Sequence, residues 1–137
     1  MVKNKKKKLS VSKVQDAVNK AIRERDEYCR VPDGRHEHAG VLTASHFFAV
    51  GGCSVFRFYP PNIHAQCFGH HGIHERKQDP FFYRRFMELH EKEGLEFMEQ
   101  NFFKSIKYNQ ETLKTVYEYA SKKDLEGLRK YIEELLV

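Results

Sequence analysis

The chain has 137 residues, 24 Lys/Arg against 19 Asp/Glu for a net charge of +5, 40% hydrophobic residues and 13% aromatics. That length supports one hydrophobic core, that composition excludes a disordered chain, and no apolar run approaches the roughly 18 residues a membrane span needs. No apolar segment follows the N-terminal lysines as in a secretory leader, so a cytoplasmic setting is expected, with the cysteines as thiols or metal ligands and not disulfides.

In chain order, residues 1–11 read as a basic flexible arm carrying Lys3, Lys5, Lys6, Lys7 and Lys8. Ser12 with Gln15 three residues on has capping-box spacing, and Val14, Ala17/Val18 and Ala21/Ile22 recur at helical intervals, which predicts a helix over Lys13–Asp26. Pro32, Asp33 and Gly34 place a turn in a loop over 28–43. Two β-prone segments follow, Ala44–Val50 and Ser54–Phe58, and Gly51-Gly52 between them is hairpin chemistry. Pro60-Pro61 stops the second, and a helix is expected near Ala65–Glu75. Asp79-Pro80 caps another helix that Gly94 closes, with Phe82, Phe86 and Leu89 on one face and Tyr83 and Met87 beside them, a pattern of core packing. Leu95–Phe103 reads as a further helix. Asn109 and Asp124 cap two more, about 110–122 and 125–136, which can pack as a hairpin.

Charge is unevenly spread. Residues 1–86 hold 16 Lys/Arg against 8 Asp/Glu, whereas residues 87–137 hold 8 against 11. The basic part also contains all three cysteines and seven of the eight histidines, between Cys29 and His74. A basic, histidine-rich region suits a polyanion, and DNA is the expected partner, with Lys3, Lys5, Lys6, Lys7, Lys8 and Arg57 touching it.

Within that region His46, Asn62 and His71 stand in the order of an HNH arrangement, two short strands and a helix around one metal ion. Cleavage of a phosphodiester needs an activated water, a cation at the phosphate and rigid positioning of both. His46 at the end of the first strand could polarise the water or ligate the metal, Asn62 could support it, and His71 could hold the ion from the helix. Arg57, placed on the second strand, could donate to a phosphate oxygen. Cys67 and His70 have C-x-x-H spacing, and with Cys29 and either His36 or His38 they form a thiolate/imidazole set of the kind tetrahedral zinc takes. His64 and His74 are alternative ligands, His90 is expected to be structural, and Cys53 incidental.

Several stretches together resemble one family. Ala21-Ile22-Arg23-Glu24-Arg25-Asp26, Cys29, Ala44-Ser45-His46-Phe47, Arg57-Phe58 with Asn62, His64-Ala65-Gln66-Cys67, and Tyr83 through Gly94-Leu95-Glu96 resemble the phage lambda NinG recombination proteins, also called Rap. The likeness covers about residues 12–100. It implies an HNH-type nuclease acting on branched DNA, with His46 as the active-site histidine, Asn62 as its support and His71 as the helix ligand. The family has C-x-x-C twice, whereas here Pro32 and His70 occupy the second positions, so the structural zinc set is altered. Many HNH sites also have Asp or His before the catalytic histidine, where this chain has Ser45.

The expectation is therefore an α+β fold, mostly helical, with a ββα-metal motif flanked by an N-terminal helix and a C-terminal helical region. Residues 12–104 would form the nuclease domain, and 105–137 a helical hairpin belonging to it or serving dimerisation into a homodimer. The expected function is a metal-dependent DNA endonuclease using Mg, Mn or Zn, acting on structured DNA in phage recombination. The competing class is a zinc-stabilised nucleic-acid binding module without cleavage.

Overall fold

A computed structural model describes residues 8–51, 54–77 and 81–137. The elements are α1 (Val11–Asp26), β1 (Leu42–His46), short 3₁₀ turns at Ser54–Phe56 and Pro60–Asn62, β2 (Ile63–Cys67), α2 (Phe68–Lys77), α3 (Phe81–His90), α4 (Lys92–Gln100), α5 (Gln110–Ser121) and α6 (Leu125–Leu135). The protein is thus mostly helical, with six helices among the described residues and one two-stranded antiparallel sheet. None of these helices is long and apolar enough to cross a membrane.

Helix α1 starts two residues before the expected point, because Ser10 and not Ser12 is the cap: its side chain accepts from the Lys13 amide. Val14, Val18 and Ile22 are fully buried on one stripe, which faces α5 and both strands. The Leu9 amide donates to Gln110 Oε1 at 2.9 Å and Gln110 Nε2 donates to the Leu9 carbonyl at 2.8 Å, so the fold begins inside the segment read as an arm. Lys3, Lys5, Lys6 and Lys7 lie outside the described residues, as do Cys53, Gly52 and the Asp79-Pro80 cap. Lys8 is exposed.

The sheet differs from the expected hairpin. Strand β1 covers Leu42–His46, and its partner is Ile63–Cys67, in register Leu42↔Cys67 through His46↔Ile63. Ser54–Phe56 is a 3₁₀ turn and Arg57 lies in the turn after it, not on a strand. The connection between the strands is the whole segment 47–62. Its aromatic side chains go inward: Phe56, Phe58 and Tyr59 are fully buried. A β-prone run gains more from burying these rings as a compact loop than from pairing along its length, and local propensity cannot weigh that choice. All five residues of β2 are buried, so it reads as a continuous run and not an alternating strand, and helix α2 begins only at Phe68.

Beyond the sheet, the buried face of α3 is Tyr83 and Met87, while Leu89 is 68% exposed. The helix is therefore turned one position from the Phe82/Phe86/Leu89 face. Gly94 does not close it. The break falls at Glu91, and Gly94 lies inside α4, where a Cβ would collide with the Pro61 ring. That close approach seats α4 on the turn leading into β2. Asn109 and Asp124 cap α5 and α6 as expected, accepting from the Thr112 and Gly127 amides at 2.9 Å each. Leu113, Val116, Leu128 and Ile132 of these two helices join the same core as Val18, Ile63 and Met98.

Candidate metal centre and the adjoining histidines

The loop after α1 is zipped onto β2 and the start of α2 by backbone bonds. The Arg30 amide donates to the Ala65 carbonyl, Phe68 to Val41 and Gly69 to Ala39, each at 2.8 Å. Gln66 Nε2 adds a bond to the Val31 carbonyl at 2.8 Å. These bonds carry Cys29 and His38 of the loop against Cys67 at the end of β2 and His70 in the first turn of α2. The ligand atoms of Cys29, His38, Cys67 and His70 all lie within 4.8 Å of one another.

The protonation pattern suits a metal. His70 Nε2 lies 2.9 Å from the His36 carbonyl and 3.2 Å from Asp33 Oδ1. A carbonyl only accepts, so Nε2 carries the proton and Nδ1 keeps its lone pair. Nδ1 faces the sulfurs of Cys67 at 3.1 Å and Cys29 at 3.7 Å. Burial pushes the Cys67 thiol up, but the His70 and Ala39 amides and the His38 and His70 rings outweigh it and bring the thiol down to about 6. Burial pushes Cys29 up. Two sulfurs and two imidazoles form a complete tetrahedral set for zinc, and the Asp33 carboxylate behind His70 is the outer partner that orients such a ligand. The group could therefore hold a metal such as zinc.

Of the two candidates for the fourth ligand, the structure brings in His38. His36 is turned away, its half-exposed ring paired through Nδ1 with Asp33 Oδ2. His64 is not in the group either. It is buried on β2, with Nδ1 3.0 Å from the Tyr83 hydroxyl and Nε2 3.3 Å from Glu91 Oε1.

His46 ends β1, the strand paired with the one that carries Cys67. Its Nε2 donates to the Arg57 carbonyl at 2.9 Å, which leaves the lone pair on Nδ1. Burial, then the charges of Arg57 and His71, lower its pKa below 6.5 against the opposing effect of the Arg57 carbonyl, favouring the neutral form. Asn62 is wholly buried and closes the loop that presents that carbonyl. Its Oδ1 accepts from the Phe48 amide at 2.8 Å, while its Nδ2 donates to the carbonyls of Phe48 at 3.1 Å and Phe56 at 3.3 Å. Its own carbonyl accepts from Phe47 at 2.9 Å. Arg57 Nε donates to Gln15 Oε1 at 3.1 Å, with the guanidinium over the Phe58 ring. His71 lies on α2, its Nδ1 2.7 Å from Thr43 Oγ1. Among the described residues, no group of three or more ligating side chains gathers around His46 and His71.

Three residues of this region carry roles that local sequence patterns do not suggest. Gln15 has the spacing of a cap partner, yet it is buried, bonds Arg57 and Asn19, and lies 3.4 Å from His46 Nε2. Asp33 has the pattern of a turn residue and Thr43 that of a loop residue. The one signal for Gln15 is a polar pair, Gln15 and Asn19, bordering the apolar stripe of α1.

Among the described residues, a two-stranded sheet and six helices frame a Cys/His group that could hold a metal such as zinc, which defines a small, mostly helical protein with a candidate metal site. A family model described as Bacteriophage Lambda NinG protein matches residues 1–131, and the chain belongs to that family of phage recombination proteins. No curated protein and no solved structure matches the chain significantly.

Proposed function

We propose that this NinG-family protein is a metal-dependent DNA endonuclease of HNH type, acting on structured or branched DNA. The observation that carries the reading is the closure by Asn62 of the loop after β1, which sets the Arg57 carbonyl against His46 Nε2 and leaves Nδ1 as a neutral base. In this reading His46 Nδ1 accepts a proton from the attacking water as its oxygen bonds to phosphorus and the P–O bond to the leaving oxygen breaks. Arg57, steadied by Gln15, donates to a phosphate oxygen. A divalent ion such as Mg²⁺ or Mn²⁺, when bound, would offset charge on the phosphate and the leaving oxygen. His71, whose Nδ1 meets Thr43 Oγ1 at 2.7 Å, would be the helix ligand to it. The Cys29/His38/Cys67/His70 group would hold a separate structural zinc.

A specific observation favours a second reading. Ser45, before His46, has a buried hydroxyl without a hydrogen-bond partner, and it is a poor ligand. The converging ligands are those of the zinc set. Both suit a zinc-stabilised DNA-binding module without cleavage. Incubation with linear duplex, single-stranded and four-way DNA in Mg²⁺, Mn²⁺ or EDTA separates the two. Metal-dependent cleavage that His46→Ala abolishes, with DNA binding retained, supports the endonuclease. Binding without cleavage in every metal supports the module.

A further inference from the structure

We infer that Phe103 is a stacking platform for an unpaired DNA base, set beside the loop that carries Arg57 and Asn62; that DNA is the partner rests on the reading above. Phe103 follows α4 and is 96% exposed, yet its place is fixed by a file of rings. Its ring centroid lies 5.8 Å from that of Phe102, and Phe102 lies 5.4 Å from Phe48. Phe48 in turn lies 4.7 Å from Phe47, the residue after His46. The Phe48 amide and carbonyl are those that the Asn62 side chain holds. Farther along the same segment the Tyr108 hydroxyl donates to the Val55 carbonyl at 2.9 Å, and the Tyr108 ring lies 4.9 Å from Phe58. The segment is thus fastened on either side of Phe103 to the loop over 47–62.

The charge around the ring fits a polyanion. The chain has 19 Asp/Glu, yet none falls within 38–74 or 100–110. The ring contacts bring these two acid-free stretches together. Lys104 and Lys107 beyond Phe103 are exposed, and Glu99 before it is paired with Arg84 at 3.5 Å. Lys104 donates to the Leu136 carbonyl, which leaves its positive charge in place. A protein partner calls for a broad apolar patch, roughly 800 Å² on each side. A single exposed phenyl ring followed by lysines matches a nucleotide better, since every base has a flat face that stacks on an aromatic ring and a phosphate that a lysine can meet. Inside a paired duplex both faces of a base are covered by its neighbours, so the ring selects bases freed at a branch or in a single strand.

The test compares wild type, Phe103→Ala and Phe103→Trp in the full chain. Binding is measured to single-stranded DNA, to a duplex with a single-stranded branch and to a fully paired duplex, at several salt concentrations and with no divalent ion added. Phe103→Ala should weaken binding to the first two about 5- to 150-fold, the range for losing one stacked base, and leave the paired duplex unchanged. Its salt slope should stay that of wild type, because a phenyl ring neutralises no phosphate. Phe103→Trp should bind the unpaired bases at least as tightly as wild type. Equal affinities of wild type and Phe103→Ala for the DNAs with unpaired bases overturn the inference, and so does an equal loss on the paired duplex. A changed oligomeric state in light scattering with unchanged DNA affinity gives the ring to a second copy of the chain and overturns it as well. The endonuclease reading fails separately: wild type that binds these DNAs and cleaves none in Mg²⁺ or Mn²⁺ loses the endonuclease and keeps the stacking role of Phe103. Wild type that binds none of them overturns both.

Discussion

His46 is held by the Arg57 carbonyl, and among the described residues no carboxylate is paired with it to stabilise the charged ring. Burial together with the charges of Arg57 and His71 lowers its pKa below 6.5. A lowered pKa keeps the base form populated into mildly acidic solution, and the proposed cleavage rate should fall only as pH drops through that value. A pH–rate profile checks this: an acid limb centred above 6.5 would remove His46 as the base. Asn62 contributes three side-chain bonds to the loop that carries the Arg57 carbonyl. Its replacement by Ala strands the part-buried Phe48 amide and the Phe48 and Phe56 carbonyls, at about 1–3 kcal/mol for each group left unsatisfied. A denaturant melt of Asn62→Ala should show that loss, and an unchanged midpoint would mean the loop is held by its aromatic packing alone.

At the level of elements, the loop over 28–41 has few apolar anchors and depends on its bonds to β2 and on the Cys/His group. The purified protein should carry close to one zinc, and Cys67→Ser should lower both zinc content and melting temperature, because metal binding energy is folding energy in such a loop. Elemental analysis and thermal melting decide it together: no zinc and a normal melt would leave the loop to ordinary hydrogen bonding. The seat of α4 depends on a different device. At Gly94 a methyl group would meet Pro61, so Gly94→Ala should destabilise the fold by about 1–3 kcal/mol despite alanine's better helix propensity. A stability equal to or above wild type would show that α4 can shift away from Pro61 freely.

Across the whole molecule, charge divides along the chain. Residues 1–86 carry the excess of Lys/Arg and residues 87–137 the excess of Asp/Glu. Deleting residues 1–8 removes five lysines and leaves a chain with 19 basic and 19 acidic residues. For every phosphate that a lysine no longer neutralises, the dependence of log affinity on log salt shrinks by about 0.9. Binding of DNA by full-length and truncated protein at several salt concentrations should therefore give a shallower slope after truncation. Coincident slopes would assign DNA binding to residues 9–137 alone.

Helix caps and the Cys67/His70 pair of the candidate metal group are legible in the chain because both are local. Asn109 and Asp124 accept from amides three residues on, and Cys67 and His70 share one turn, so spacing alone brings each pair together. The outer shell is not legible. Gln15 meets Arg57 across 42 positions and Asp33 meets His70 across 37, pairings that exist only once α1 and the loop after it are folded onto the strands. The choice of His38 over His36 is likewise invisible, because both lie in one loop and only the Asp33 turn captures His36. The pairing of β1 with 63–67 instead of 54–58 follows from the same cause. Alternation and a Gly-Gly turn describe what a segment can pair with, while burial of Phe56, Phe58 and Tyr59 in a common core decides what it does pair with. The sequence by itself determined the residue types and the local turns, and the tertiary structure alone decided which side chains share a site, because that depends on long-range packing.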